Sequence, residues 1–435
     1  MNKTMLGRQA IIIGSSLSGL LSASRLANHY EKVILIERDT LETGQRNGVP
    51  QGAHTHILLE KALDLLNGWF PDFEAALDLA QVPRIHWLKD VRMYHNGWLP
   101  RSAAGVLTRS ATRPLLESII RHLVLQNPTI ELRTGSTAHK PQHNHHLKRV
   151  TGVRIEHNDQ YEDLTSDLII DSSGRGSRAA GWLADWGYGQ VVKESIDAHL
   201  SYTSQAYQTL NTDSDWSLMR ISSLPGGLPR GGLLTRTEQG WLLTLAGYGK
   251  GHHPPLTDFQ AFADSLAHPA IGQAIRNGQP LGKSAISQST ANIRRRFDQL
   301  PQLPDGFLVM GDALAAFNPA YGQGIAVSAL QAAQLEKMLP TRPTGHALQK
   351  ALIHQTDSAW LMAVAADRQW LPNQAESNTE RLARQWLQTV QADMLHDEKL
   401  RTLFIRTFNM QAPLERLFMP DVLMQVARTH LSRQN

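Results

Sequence analysis

The stretch Ala10-Ile11-Ile12-Ile13-Gly14-Ser15-Ser16-Leu17-Ser18-Gly19, followed by Val33-Ile34-Leu35-Ile36-Glu37, decides the fold. Ala10 to Ile13 is a short β-branched run, the pattern of a strand buried in a parallel sheet. Leu20, Leu21 and Leu26 then recur at helical spacing, and Val33 to Ile36 forms a second strand. Strand, glycine turn, helix and a strand closed by an acid is the outline of a dinucleotide-binding fingerprint. Gly14 permits the tight turn, and Gly19 lets the helix pack close to the strand. The helix N-terminus offers free N–H groups to a pyrophosphate. Glu37 follows Gly14 by 23 residues, where a carboxylate accepts both ribose hydroxyls. Ser16 stands in place of the middle glycine. Its side chain crowds the phosphates, although its hydroxyl can donate to them.

Two later segments bear on which dinucleotide binds. Asp167 to Asp171 reads as a strand running into the polar turn Ser172-Ser173-Gly174-Arg175-Gly176-Ser177-Arg178. Gly306 to Met310 reads as another strand, ending in Gly311-Asp312 and continuing through Asn318-Pro319-Ala320-Tyr321-Gly322-Gln323-Gly324 into a helix over Ile325 to Leu339. An aspartate at a strand end can accept from a ribityl hydroxyl. Gly322 and Gly324 leave bare backbone beside a flat ring. The helix starting near Gly324 aims its N-terminal dipole at negative charge there, which for a flavin is the N1–C2=O edge.

Composition narrows the class. The chain has 435 residues, 41% hydrophobic and 19% charged, the balance of a globular enzyme of two or three structural units. It has no cysteine, which excludes disulfides, zinc-thiolate sites, iron–sulfur clusters and a Cys nucleophile. Lys and Arg number 43 against 39 Asp and Glu, too weak an excess to indicate nucleic acid as a partner. No apolar run reaches the ~18–20 residues of a membrane span. The N-terminal apolar stretch is broken by Gly14-Ser15-Ser16 and is not read as a signal peptide, so a cytoplasmic location is expected.

Taken together, these motifs resemble the FAD-dependent monooxygenases of the p-hydroxybenzoate hydroxylase fold, over essentially the whole chain. Within that group the chain is similar to bacterial FAD oxidoreductases that carry Arg46-Asn47-Gly48-Val49-Pro50-Gln51-Gly52 before His54-Thr55-His56-Ile57-Leu58-Leu59. Trp241 to Tyr248 and Asn318 to Gly324 continue the match, and polyether epoxidases are similar in the last motif. The resemblance implies non-covalent FAD. Gly14, Ser16, Leu17, Ser18 and Gly19 would cradle its ADP half, Glu37 would hold the adenosine ribose and Arg38 would lie over the adenine. Arg46 and Arg113 would contact the cofactor. Gly311 and Asp312 would bind ribityl and pyrophosphate oxygens, and Pro319, Gly322, Gln323, Gly324 and Ile325 would line the flavin.

The activity implied is hydroxylation or epoxidation. One atom of molecular oxygen passes from a flavin C4a-hydroperoxide to an apolar, electron-rich small molecule, in secondary metabolism. Electrons would come from NAD(P)H or a partner flavin reductase, since no second dinucleotide fingerprint exists. Two other readings stay open: an FAD-dependent reductase or dehydrogenase of a prenyl-type substrate, and a non-enzymatic flavin-binding module. Two departures bear on the details. The family's middle Asp-Gly reads Ser173-Gly174 here, with Asp171 earlier, and the His many hydroxylases place three residues after the Asp of Gly-Asp is Ala315. No catalytic acid, base or metal ligand is identified.

The expected fold class is α/β: a Rossmann-like FAD-binding domain, an antiparallel β-sheet substrate domain and a helical C-terminal region. The FAD-binding domain takes residues 1–85, 106–190 and 291–345. The substrate domain takes 86–105 and 191–290, and the helical region takes 346–435. His139, His143, His145 and His146 read as an exposed hairpin turn rather than a metal site. His54 and His56 read as a segment near the flavin, and Arg294-Arg295-Arg296 as a solvated surface run. Leu403 to Leu423 reads as a helix pair packed on the domain, with attachment to a membrane surface as the other reading.

Overall fold

The computed structural model describes residues 5–41, 54–103, 105–210, 215–371 and 376–434. The Arg46 to Gly52 motif, Arg46 included, lies outside them.

The quoted stretch forms what its pattern predicts. Gly7–Ile13 is a strand, Leu17–Leu26 a helix and Tyr30–Ile36 a second strand. They are the centre of a five-stranded, wholly parallel sheet whose order is Phe307–Val309, Leu168–Asp171, Gly7–Ile13, Tyr30–Ile36, Ile130–Arg133. Ala10, Ile11 and Ile12 are fully buried, as is Ile170 beside them, which is why these strands read as continuous apolar runs rather than alternating ones. Helices Leu17–Leu26, Arg113–Leu125 and Gly324–Met338 supply the covering apolar faces. Pro114 sits in the first turn of the middle helix, where its missing N–H costs nothing.

A second, six-stranded sheet runs Pro280–Ser287, Leu200–Tyr207, Gly240–Tyr248, Arg230–Thr237, Leu218–Ile221, Val91–Tyr94. Gly240–Tyr248 shows how it is used. Trp241, Leu243 and Leu245 face helices Phe259–Asp264 and Ala270–Ile275, while Thr244, Ala246 and Tyr248 face a cavity. The period of two assigns one side to the core and the other to the site. The sheet is not purely antiparallel as expected: Val91–Tyr94 joins Leu218–Ile221 in parallel. These two strands lie far apart in the sequence, so no hairpin turn imposes the opposite direction.

Helices Gly345–His354, Asp357–Arg368, Asn378–Asp393, Glu398–Phe408 and Pro420–Gln434 make up the C-terminal region. It is not an appendage. Phe408, Met362, Trp370 and Phe404 reach the wall of the cavity. Of the segment read as a packed helix pair, Leu417 is fully buried, whereas Phe418, Met419 and Leu423 are exposed. Among the described residues, no helix is long and apolar enough to cross a membrane.

Candidate active site

The glycine turn is shaped by close approach. Gly14 has φ +98°, and a Cβ there would stand 2.6 Å from the Ser172 carbonyl oxygen. A Cβ on Gly19 would overlap the carbonyl oxygen of Gly14, so only glycine lets the helix start this near the strand. Leu17 is buried beneath the turn. Glu37 is buried and holds the turn from the neighbouring strand. Its Oε2 accepts from the Ser15 amide at 3.0 Å and the Ser15 hydroxyl at 2.8 Å, and its Oε1 accepts from the Asp39 amide at 3.1 Å. Arg38 is exposed, with its guanidinium 3.9 Å from Asp39.

Ser16 is engaged by the helix Arg113–Leu125. The Arg113 guanidinium donates to Ser16 Oγ at 2.8 Å, and that hydroxyl donates to Glu117 at 3.1 Å. Glu117 is buried and ion-paired with both Arg113 and Arg121. Sequence reasoning missed it, although a glutamate four residues after Arg113 and four before Arg121 on one helix face is a readable signal. Ser18 points instead at the Gly-Asp turn. Its hydroxyl is 3.4 Å from that of Ser172, and a Cβ on Gly311 would lie 2.5 Å from it.

The Gly311-Asp312 turn is held by residues of three other elements. Gln331, fully buried on the helix that follows, accepts from the Gly311 amide at 2.8 Å. Gln349 bonds both the N–H and C=O of Val309, covering the free edge of the parallel sheet. Arg295 donates to the carbonyls of Asp312, Ala313 and Arg175. Arg175 in turn donates to the carbonyls of Ala291 and Phe317. The Arg294-Arg295-Arg296 run is therefore not a solvated surface. Arg294 pairs with Glu194 and Asp357, and Arg296 with Glu194 and Asp298. The strand Asn292–Arg296 lies between two others, so both of its edges are paired, and its arginine side chains find partners on neighbouring elements. Burial pushes the Asp312 carboxyl up, against the fields of Arg175, Arg113 and Arg295, which pull it down.

Beyond Asp312 the chain reaches the cavity. Pro319, Ala320, Tyr321 and Gly322 line a pocket of about 1020 Å³, its open mouth included, together with His54, His56, Trp87, Tyr202, Tyr248 and Phe408 among others. Gln323 is buried on the far side of the loop and lines an adjoining lobe of about 1000 Å³. Its Oε1 has no partner among the described residues. Gly324 opens the helix, and Ile325 is turned into the core.

Two polar networks in this wall were not seen in the sequence. Asp367, fully buried, accepts from Tyr321 Oη at 2.6 Å, from Asn292 Nδ2 at 2.6 Å and from Asn318 Nδ2 at 3.1 Å. Burial pushes its carboxyl up to about 6, and the hydrogen bonds pull the other way. His54 is also buried; its Nδ1 lies 2.9 Å from Ser204 Oγ, which is 2.6 Å from Thr244 Oγ1. Burial pushes this imidazole down to about 4. It is thus neutral near pH 7, and its Nε2 has no partner among the described residues. Of the four clustered histidines, His145 and His146 lie in the exposed turn as expected, whereas His139 and His143 are partly buried on the strand before it. Thr137–Asn144 and Arg149–His157 form the hairpin. His143 packs on Trp186 and bonds Tyr188.

No family model matches this chain. Protein Rv3254 of Mycobacterium tuberculosis (strain ATCC 25618 / H37Rv) is 28% identical over 383 residues, 82% of this chain and 80% of that one. A flavoprotein/dehydrogenase from Cytophaga hutchinsonii superimposes with a TM-score of 0.70 at 11% identity, covering 98% of this chain and 100% of the other. OxyS anhydrotetracycline hydroxylase from Streptomyces rimosus does so with a TM-score of 0.59 at 13% identity, covering 93% and 76%. The chain has the FAD-binding fold of the p-hydroxybenzoate hydroxylase type, the fold its motifs lead one to expect.

Proposed function

We propose that the protein is an FAD-dependent monooxygenase acting on an apolar, electron-rich small molecule of the polyketide, terpenoid or aromatic kind. One observation carries the reading. The segment that leaves the Gly311-Asp312 turn becomes, within ten residues, the wall of a large aromatic-lined cavity. A dinucleotide held along the parallel sheet and a substrate held by the second sheet would meet at Pro319 to Gly322.

The residues present fit FAD. Gly14 and Gly19 allow the close approach of turn, helix and strand, and the helix N-terminus beside Ser16 suits a pyrophosphate. Glu37 stands at the end of the second strand, where the ribose would lie, and Asp312 faces the same end of the sheet. The buried, partnerless Gln323 Oε1 suits an N–H donor of a flavin ring. Leu17, Ser18, Arg38, Arg46, Arg113, Gly311, Pro319, Gly322, Gly324 and Ile325 complete the proposed set. When bound, the flavin supplies electron transfer from NAD(P)H or a reductase and the activation of oxygen. The chain's own residues orient the substrate and exclude water, through Leu59, Trp87, Tyr202 and Phe408. The dipole of the helix Gly324–Met338 favours negative charge at the loop. His54 Nε2 offers a neutral ring nitrogen to a polar group of the substrate.

The test has two stages. Acid precipitation of purified protein should release FAD into solution; release of FMN or NAD overturns the cofactor assignment. Substrate turnover should then require oxygen. A reductase or dehydrogenase is the second reading, favoured by the likeness to the Cytophaga flavoprotein/dehydrogenase, and it would alter its substrate equally well without oxygen.

A further inference from the structure

The two lobes of the cavity meet at Arg220, which lines both. Arg220 lies on the strand Leu218–Ile221, between buried Met219 and Ile221, and is itself only partly exposed. Other arginines of this sheet are occupied. Arg92 lies over Trp98, Arg236 over Trp241, and Arg230 over Phe262 with a hydrogen bond to Ser265. Arg220 has no hydrogen bond, ion pair or ring partner among the described residues. Among the described residues, no aspartate or glutamate lines either lobe, and Arg220 is the one arginine or lysine that does. Burial pushes the His95 imidazole, in the same lobe, below its ordinary range, and the field of Arg220 adds to that. A guanidinium drawn part-way out of water with no counter-charge is costly to the folded chain. A bound anion would offset that cost, and the planar fork of donors suits a two-oxygen acidic group.

We propose that Arg220 is the anion anchor of this cavity, and that the substrate is an elongated, mainly apolar molecule carrying one acidic group. The proposal rests on the reading of this cavity as the substrate site. The acidic group sits where the lobes join, which sends the apolar body along the aromatic wall toward Pro319 to Gly322. Arg220 is here a positioning residue and takes no part in the chemical step.

The test uses two probes with one skeleton: 8-anilinonaphthalene-1-sulfonate, and N-phenyl-1-naphthylamine, which lacks the sulfonate. Their binding to the FAD-loaded protein is measured by equilibrium dialysis. Arg220→Gln should weaken the sulfonate on the order of tenfold or more, as loss of a charge-assisted contact does, and leave the neutral probe unchanged. Arg220→Lys, which keeps the charge and loses the fork, should fall between. Ala246→Trp, which fills the first lobe, should weaken both. Equal effects of Arg220→Gln on the two probes, no effect on the sulfonate, or sulfonate binding that survives Ala246→Trp would each overturn the proposal. FAD released per chain is measured on every variant, so failure of the anchor is distinguished from failure of the flavin assignment.

Discussion

The Tyr321 hydroxyl donates to Asp367 Oδ1 across 2.6 Å, tying the loop that walls the cavity to a helix 46 residues further along the chain. Asn318, whose own Oδ1 accepts from the Ala320 amide, donates to the same carboxylate, and Asn292 joins from a third segment. One buried acid thereby sets the position of Asn318 to Tyr321.

This acid and His54 give stability opposite pH dependences. The Asp367 carboxyl titrates near 6 in the folded chain against an ordinary 3.8. Its contribution is present below pH 3.8 and lost as pH rises to about 6. His54 titrates near 4 against 6.5. Its contribution is present above pH 6.5 and lost as pH falls to about 4. At 1.36 kcal/mol per pH unit each amounts to about 3 kcal/mol, and between pH 4 and 6 they offset one another. Removing either should expose the other. Asp367→Asn, relative to wild type, should be more destabilised at pH 4.5 than at 6.5. His54→Asn should show the reverse. Urea midpoints at the two pH values read both differences, and differences of the opposite sign would refute the assignment.

Asp312 is expected to hold cofactor hydroxyls with charge-assisted hydrogen bonds, worth ~1.5–3 kcal/mol each. Asp312→Ala should therefore weaken FAD on the order of tenfold or more while circular dichroism stays unchanged. Equal affinity in the two proteins would remove this residue from the site.

Gly19 is the tightest point of the turn. Gly19→Ala must push the helix Leu17–Leu26 off the first strand, at a cost of roughly 1–3 kcal/mol or more as in overpacked cores. The expected result is a lowered thermal midpoint even without cofactor. A midpoint unchanged from wild type would mean that the helix start yields freely.

Gly324 makes the contrasting case. A Cβ there meets nothing within 4 Å, and alanine is the better helix former by roughly 1 kcal/mol. Gly324→Ala should leave the cofactor-free protein as stable as wild type or more so, while weakening FAD, because the glycine is then needed only for the flavin. Unchanged FAD affinity would show that the ring does not approach this backbone.

The parallel sheet and its glycine turn were legible because the signal is local: strand, turn, helix and acid fall within about forty residues. The helix over 324–338 and the alternation along Gly240–Tyr248 were readable for the same reason. Asp367 was not, since nothing near it in the chain announces that Asn292, Asn318 and Tyr321 converge on it. The triple arginine misled because charge density suggests solvent, and only the closed register of the strand Asn292–Arg296 shows where its partners lie. Arg220 left a faint trace: an arginine among Leu218, Met219 and Ile221, in a region already read as sheet, has to face something other than the core.

The order of strands in the parallel sheet also governs when the protein can acquire its cofactor. Asp312 follows Gly14 by 298 residues, and Phe307–Val309 adds on beside Leu168–Asp171, which lies next to the first strand. At ribosomal rates of about 5–20 residues per second, roughly 15–60 s pass between synthesis of the two ends of the nucleotide cradle. During that time Ile169 and Ile170 emerge without the neighbour that will cover their backbone edge. The nucleotide cradle is therefore complete only after 312 of the 435 residues are made, and until then that edge is open to pairing elsewhere.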